Sequence, residues 1–147
     1  MNKKEIIKKL TDKNNKQAYE YAKKIEIESS KTNKYLDMIP DFVSMLQDEN
    51  SLIRTRFFIL ICNQARWAKD GQIEDVYEQM EPLLCDSKPT VVRQCLKAFH
   101  EVALYRPEMN GLIKESISKI DLKTYKDSMT PLIKKDIVEL MKRVNSR

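Results

Sequence analysis

The chain has 147 residues, a net charge of +5, 33% charged residues, two glycines and five prolines. That length fits one domain. So little glycine and proline excludes a turn-rich β fold, a flexible linker and a glycine-rich phosphate loop.

The charge is ordered along the chain. Residues 1–34 hold ten lysines and five acids; residues 35–88 hold five basic and ten acidic residues; residues 89–147 hold twelve and seven. A basic–acidic–basic order breaks up any continuous cationic stripe, which argues against simple tracking of a nucleic-acid backbone. Met1 to Lys9 is charged and lacks the apolar segment of a signal peptide. No apolar run approaches the ~20 residues of a membrane span. Cys62, Cys85 and Cys95 are odd in number and without close pairing. Together these features lead to the expectation of a reducing, cytoplasmic setting.

In chain order, Ile6, Ile7 and Leu10 predict a short amphipathic helix. Ala18, Tyr19, Ala22 and Ile25 predict the next. Asn33 is the expected N-cap of a third helix, whose stripe is Tyr35, Leu36, Ile39, Phe42, Val43 and Leu46, with a kink at Pro40. From Ser51 to Arg66 runs a helix in which Phe57 to Cys62 is apolar on every side, so it must be covered on most sides. Asp70-Gly71 marks a turn. Ile73, Val76, Tyr77, Met80, Leu83 and Leu84 then form a helix with Pro82 near its end. Ser87 or Thr90 is expected to cap the following helix, with Pro89 in its first turn and an apolar face from Val91 to Ala103. Pro107 opens a helix bearing Met109, Leu112, Ile113, Ile117 and Ile120. Thr130-Pro131 opens the last, bearing Leu132, Ile133, Ile137, Leu140, Met141 and Val144. About eight helices in four hairpins result, with approximate limits 1–31, 32–69, 70–106 and 107–147.

A short phrase recurs where three of these helices begin. Asp48-Glu-Asn-Ser-Leu-Ile-Arg54, Asp86-Ser-Lys-Pro-Thr-Val-Val-Arg93 and Asp127-Ser-Met-Thr-Pro-Leu-Ile-Lys134 each join an acid, a polar turn, two aliphatics and a cation. A period near 40 residues is that of stacked helical hairpins. The phrase Ile39-Pro-Asp-Phe-Val-Ser-Met-Leu-Gln-Asp48 followed by Leu52-Ile53-Arg54 resembles the HEAT repeat. Leu84-Cys85-Asp86 with Val91-Val92-Arg93 is similar to its second half.

The resemblance to HEAT and armadillo-like repeats, here a short array of the bacterial type, implies a single all-α domain. Its expected architecture is a right-handed α-α superhelix, a solenoid of about four hairpins. It also implies that Asp48, Arg54, Asp86, Arg93, Asp127 and Lys134 form a structural ladder between neighbouring repeats. In such arrays the second helices line the common binding ridge. The ridge candidates are Arg56, Asn63, Arg66, Lys97, Glu101, Lys135, Glu139 and Lys142; Trp67 either packs under the Asp70-Gly71 turn or serves as an interface anchor, since Trp and Arg are enriched at binding hot spots.

No catalytic constellation emerges. His100-Glu101 contains the one histidine of the chain, too few for a metal site of converging imidazoles and carboxylates. The cysteines lack the close ligand pairs of zinc or iron–sulfur sites. We therefore expect no cofactor, no metal and no enzymatic activity. The expected function is a protein–protein scaffold or adaptor. The alternatives are nucleic-acid binding through the basic ends, at Lys3, Lys4, Lys8, Lys9, Lys134 and Lys135, or an accessory subunit of an enzyme.

Overall fold

The computed structural model describes residues 1–146, which form helices joined by short turns and contain no strand. Helix α1 (Lys3–Leu10) is capped by Asn2, whose Oδ1 accepts from the Glu5 amide at 2.9 Å. Helix α2 (Asn15–Ser29) is capped in the same way by Asn14. These side chains satisfy amide donors that a helix start leaves open.

In the second hairpin the expected kinked helix is instead a 3-10 turn, Leu36–Met38, followed by the short α3 (Ile39–Val43). Pro40 lies in the first turn of α3, where its missing N–H costs no bond, so it helps to start a helix rather than bend one. Helix α4 (Ser51–Asn63), capped by Asn50, continues as a 3-10 turn to Arg66. After Gly71, which takes the left-handed φ of +83° that favours glycine, the third hairpin departs from expectation again. Its first arm is three short pieces: a 3-10 turn Glu74–Val76, α5 (Tyr77–Met80) and a 3-10 turn Glu81–Cys85 holding Pro82.

Helix α6 (Pro89–Tyr105) has Lys88, rather than Ser87 or Thr90, at its N-cap, and Asp86 Oδ1 accepts the Lys88 amide at 2.9 Å. A 3-10 turn, Pro107–Met109, leads into α7 (Asn110–Ser118). A last 3-10 turn, Leu122–Thr124, precedes α8 (Thr130–Asn145).

The first arms α1, α3, the 81–85 turn and α7 pack on α2, α4, α6 and α8 respectively. The second helices also pack on one another: α2 on α4, α4 on α6, and α6 on α8. The core follows from this. In α4, Phe57, Phe58, Leu60, Ile61 and Cys62 are fully buried, because α2, α3 and α6 cover three of its sides. Phe58 meets Phe99 of α6 with ring centres 5.1 Å apart, and Phe99 stacks on Tyr77 at 5.8 Å. Tilted and offset ring pairs of this kind add to the burial they share.

Polar bonds tie each hairpin to the next. Arg56 donates to the Leu10 carbonyl (2.9 Å) and to Asn15 (2.8 Å), and Trp67 Nε1 to the Ser29 carbonyl (2.6 Å). Arg54 forms a two-pronged bond with Asp86, at 3.1 and 3.0 Å, and also donates to the carbonyls of Asp48 and Glu49. Arg106 reaches back to the Ala68 carbonyl and Asp70. Arg93 pairs with Asp136 at 2.6 Å, and Tyr77 meets Ser116, which in turn donates to Glu81.

Of the six expected ladder residues, only Arg54 and Asp86 bond to one another across neighbouring hairpins. Arg93 takes its carboxylate from within α8, at Asp136, and not from the turn at Asp127. Asp127 and Lys134 are both exposed and form no ion pair among the described residues. Asp48 contributes through its backbone carbonyl to Arg54, while its side chain accepts the Asn50 amide.

Candidate binding groove

Helical spacing gives the second helices a common open face. On α2 it carries Lys23, Glu26, Ile27 and Ser30; on α4 and the turn after it, Ile59, Asn63 and Arg66. On α6 it carries Gln94, Lys97, Ala98, Glu101 and Leu104, and on α8 Arg143. Steps of three and four residues place each set on one side of its helix. These side chains, with His100 and Tyr105, line an open groove of about 690 Å³ that runs over α2, α4 and α6 and reaches α8 at Arg143. A smaller hollow of about 300 Å³ continues it towards the starts of α2, α4 and α6. The hollow adds Tyr19, Leu52 and Thr55 and shares Lys23, Glu26, Ile59 and Gln94.

The groove mixes apolar and charged surface. Ile27 is 61% exposed and Leu104 51% exposed, unusual for aliphatics with core on the far side of their helices. Lys23 pairs with Glu26 at 3.3 Å. The Arg66 guanidinium lies over the Tyr105 ring at 4.7 Å and donates to the Ser30 carbonyl at 2.6 Å. Glu101 accepts from Asn63 Nδ2 at 3.0 Å. Burial pushes the Glu101 carboxyl above its ordinary range, against the opposing pull of the Asn63 bond and Arg66. Burial, helped by Arg143, holds the His100 imidazole below its usual value. Asn63 is 9% exposed, and its Oδ1 has no hydrogen-bond partner.

Of the expected ridge residues, Asn63, Arg66, Lys97 and Glu101 come together in this groove. Arg56 does not line the main groove: it is buried, its guanidinium is committed to the first hairpin, and it reaches only the smaller hollow. Trp67 lies outside the groove, half-buried, with its indole N–H tied to the end of α2. Lys135, Glu139 and Lys142 are exposed on α8 without lining the groove, and Glu139 pairs with Lys142 at 3.7 Å.

Sequence reasoning missed Lys23, Glu26, Ile27, Leu104 and Arg143. The signal was present in the 23-26-27-30 and 94-97-98-101 spacings. Using it requires knowing which side of each helix the core takes.

Nothing in the groove resembles a metal centre: no group of three or more His, Cys, Asp or Glu side chains converges among the described residues. Cys62 and Cys95 are buried, and burial raises their thiols well above the ordinary range, which keeps them protonated. No described helix is long and apolar enough to cross a membrane. No protein-family model, curated protein or solved structure gives a significant match to the chain.

Proposed function

We propose that the chain is a short HEAT-like α-solenoid, a right-handed superhelix of four hairpins, acting as a non-catalytic scaffold that binds another protein in the groove along its second helices. One observation carries the functional reading. The groove draws side chains from α2, α4, α6 and α8 and combines exposed aliphatics with charges of both signs. Apolar anchors within a polar rim suit a protein surface. The solenoid reading draws support from the ties between hairpins. Partners in the bonds given above lie 32 to 46 residues apart, about one repeat, as nearest-neighbour stacking requires.

Site-specific photo-crosslinking tests the functional reading. A photoreactive residue at Leu104, in the groove, is expected to give a discrete protein adduct in host lysate. The same group at Lys114, exposed on α7, is expected to give none. Equal labelling from both positions would contradict the assignment.

A second reading has its own observation. Where the first hairpin meets the second, Lys9 lies over the Tyr21 ring at 5.2 Å and Lys34 over Tyr35 at 5.3 Å, beside Lys24. Lysines interleaved with aromatics are the components of single-strand nucleic-acid sites. Glu28 sits in the same patch, accepting from the Tyr35 hydroxyl and pairing with Lys34, which weakens its appeal to phosphate. Retention of single-stranded RNA that falls steeply with salt, and falls again with Lys9→Glu, would favour this reading.

A further inference from the structure

We infer that the groove receives an acidic peptide segment with aliphatic or aromatic anchors, presented by the protein partner. The inference rests on the groove being the binding site, and adds the chemistry of what enters it.

Each second helix, or the turn that ends it, contributes one cation: Lys23, Arg66, Lys97 and Arg143. Only two carboxylates, Glu26 and Glu101, share the space. Glu26 pairs with Lys23 and Glu101 accepts from Asn63, so the four cations outnumber the two carboxylates even with both acids charged. Lys97 and Arg143 have no ion-pair partner among the described residues. The residual charge is therefore positive along the groove, although the central segment of the chain, residues 35–88, is acidic overall. Between the cations stand Ile27 and Leu104, which carry no charge and remain largely exposed. A ligand that satisfies both features pairs carboxylates with apolar side chains.

Nucleic acid meets the first requirement and fails the second. Base stacking needs an open aromatic face. Of the two lining tyrosines, Tyr105 has Arg66 over its ring at 4.7 Å and Tyr19 has Lys23 over its ring at 5.2 Å. Four helices packed at ~8–10 Å intervals make a groove roughly 25–30 Å long. An extended peptide rising ~3.3 Å per residue crosses that in about eight or nine residues.

The test pans a phage-displayed library of random 12-residue peptides on the full chain and on the Lys97→Glu/Arg143→Glu variant, with a random single-stranded RNA pool run in parallel. Both substituted residues are exposed, and an unchanged thermal melt establishes that the variant is folded. We expect selected peptides rich in Asp and Glu interspersed with Leu, Ile or Phe, recovered at least about tenfold less on the variant. Leu104→Ser is expected to lower recovery independently. Basic or uncharged peptides that still depend on Lys97 and Arg143 would overturn the acidic assignment while leaving the groove as the site. Acidic peptides recovered equally on both proteins, or no enrichment at all, would also overturn it. So would RNA retention abolished by the same two substitutions. Failure of the groove itself would show separately, as the loss of position dependence in the crosslinking experiment.

Discussion

At the residue scale, two arginines in equivalent places do unequal work. The Arg54 and Asp86 side chains are 16% and 11% exposed, and Arg54 also closes the turn that ends at Asn50 by binding two carbonyls. Arg93 makes one short bond to Asp136 and a longer one at 3.5 Å. Removing Arg54 leaves Asp86 largely buried without its cation and frees two carbonyls. Arg54→Ala should cost about 2–4 kcal/mol, and Arg93→Ala about 1–2 kcal/mol. Denaturant unfolding of both variants checks the order, and equal losses would deny Arg54 its second role.

Glu101 has the opposite character. Its carboxyl titrates above the ordinary value of 4.5 because burial disfavours the anion. Between that value and its raised one the folded state holds more protons than the unfolded, so this group's contribution to stability falls as pH rises. Glu101→Gln keeps an acceptor for Asn63 and carries no charge. It should therefore melt higher than the parent at pH 7 and show no advantage at pH 4, as thermal scans at the two pH values would reveal.

The recurring phrase of acid, polar turn, two aliphatics and cation made Arg54 and Asp86 legible from sequence. Asp136 was not legible, because it lies inside a helix where a charge reads as solvent-facing. Arg56 misled for the same reason: a buried arginine bonded to a carbonyl looks like any surface arginine until the helix phase is known.

At the element scale, α4 owes its burial to its neighbours rather than to a one-sided pattern, and its sequence shows this openly. Six consecutive apolar residues from Phe57 to Cys62 have no polar face to offer water. Phe58, fully buried against Phe99, links the second and third hairpins. Phe58→Ala should cost about 3–5 kcal/mol, the range for emptying an aromatic site that cannot collapse. A loss under 1 kcal/mol in chemical denaturation would mean that the two helices pack far more loosely than the ring contact indicates.

The second helices were legible because each carries a long apolar period. The first arms were less so. Apolar spacing persists across Ile73 to Leu84 although the backbone breaks there into three pieces, because the same residues can face the core from 3-10 turns as from an α-helix. Proline identity alone did not say whether Pro40 would kink a helix or begin one.

At the scale of the whole molecule, stability is distributed by position in the row. Helices α4 and α6 are flanked by second helices on both sides, whereas α2 and α8 each have one such neighbour. Amide hydrogen exchange should therefore be slowest in α4 and α6 and fastest towards α1 and the end of α8, since local opening follows the packing each segment would lose. Uniform protection across all four hairpins would indicate one cooperative unit instead. The basic ends bear on assembly as well. Residues 1–34 and 89–147 each carry a net charge of +5, so stacking one copy on another end to end would bring like charges together.

The groove was only partly legible, because it depends on how four helices are rotated relative to one another, and no single helix records that.

The most direct measurement is affinity capture of the tagged protein from its host lysate, with nuclease added, beside the Lys97→Glu/Arg143→Glu variant and read by mass spectrometry. One or two stoichiometric proteins that survive nuclease and disappear with the variant are expected. Proteins retained equally by both, or retained only when nucleic acid is intact, would contradict the groove as the protein-binding site.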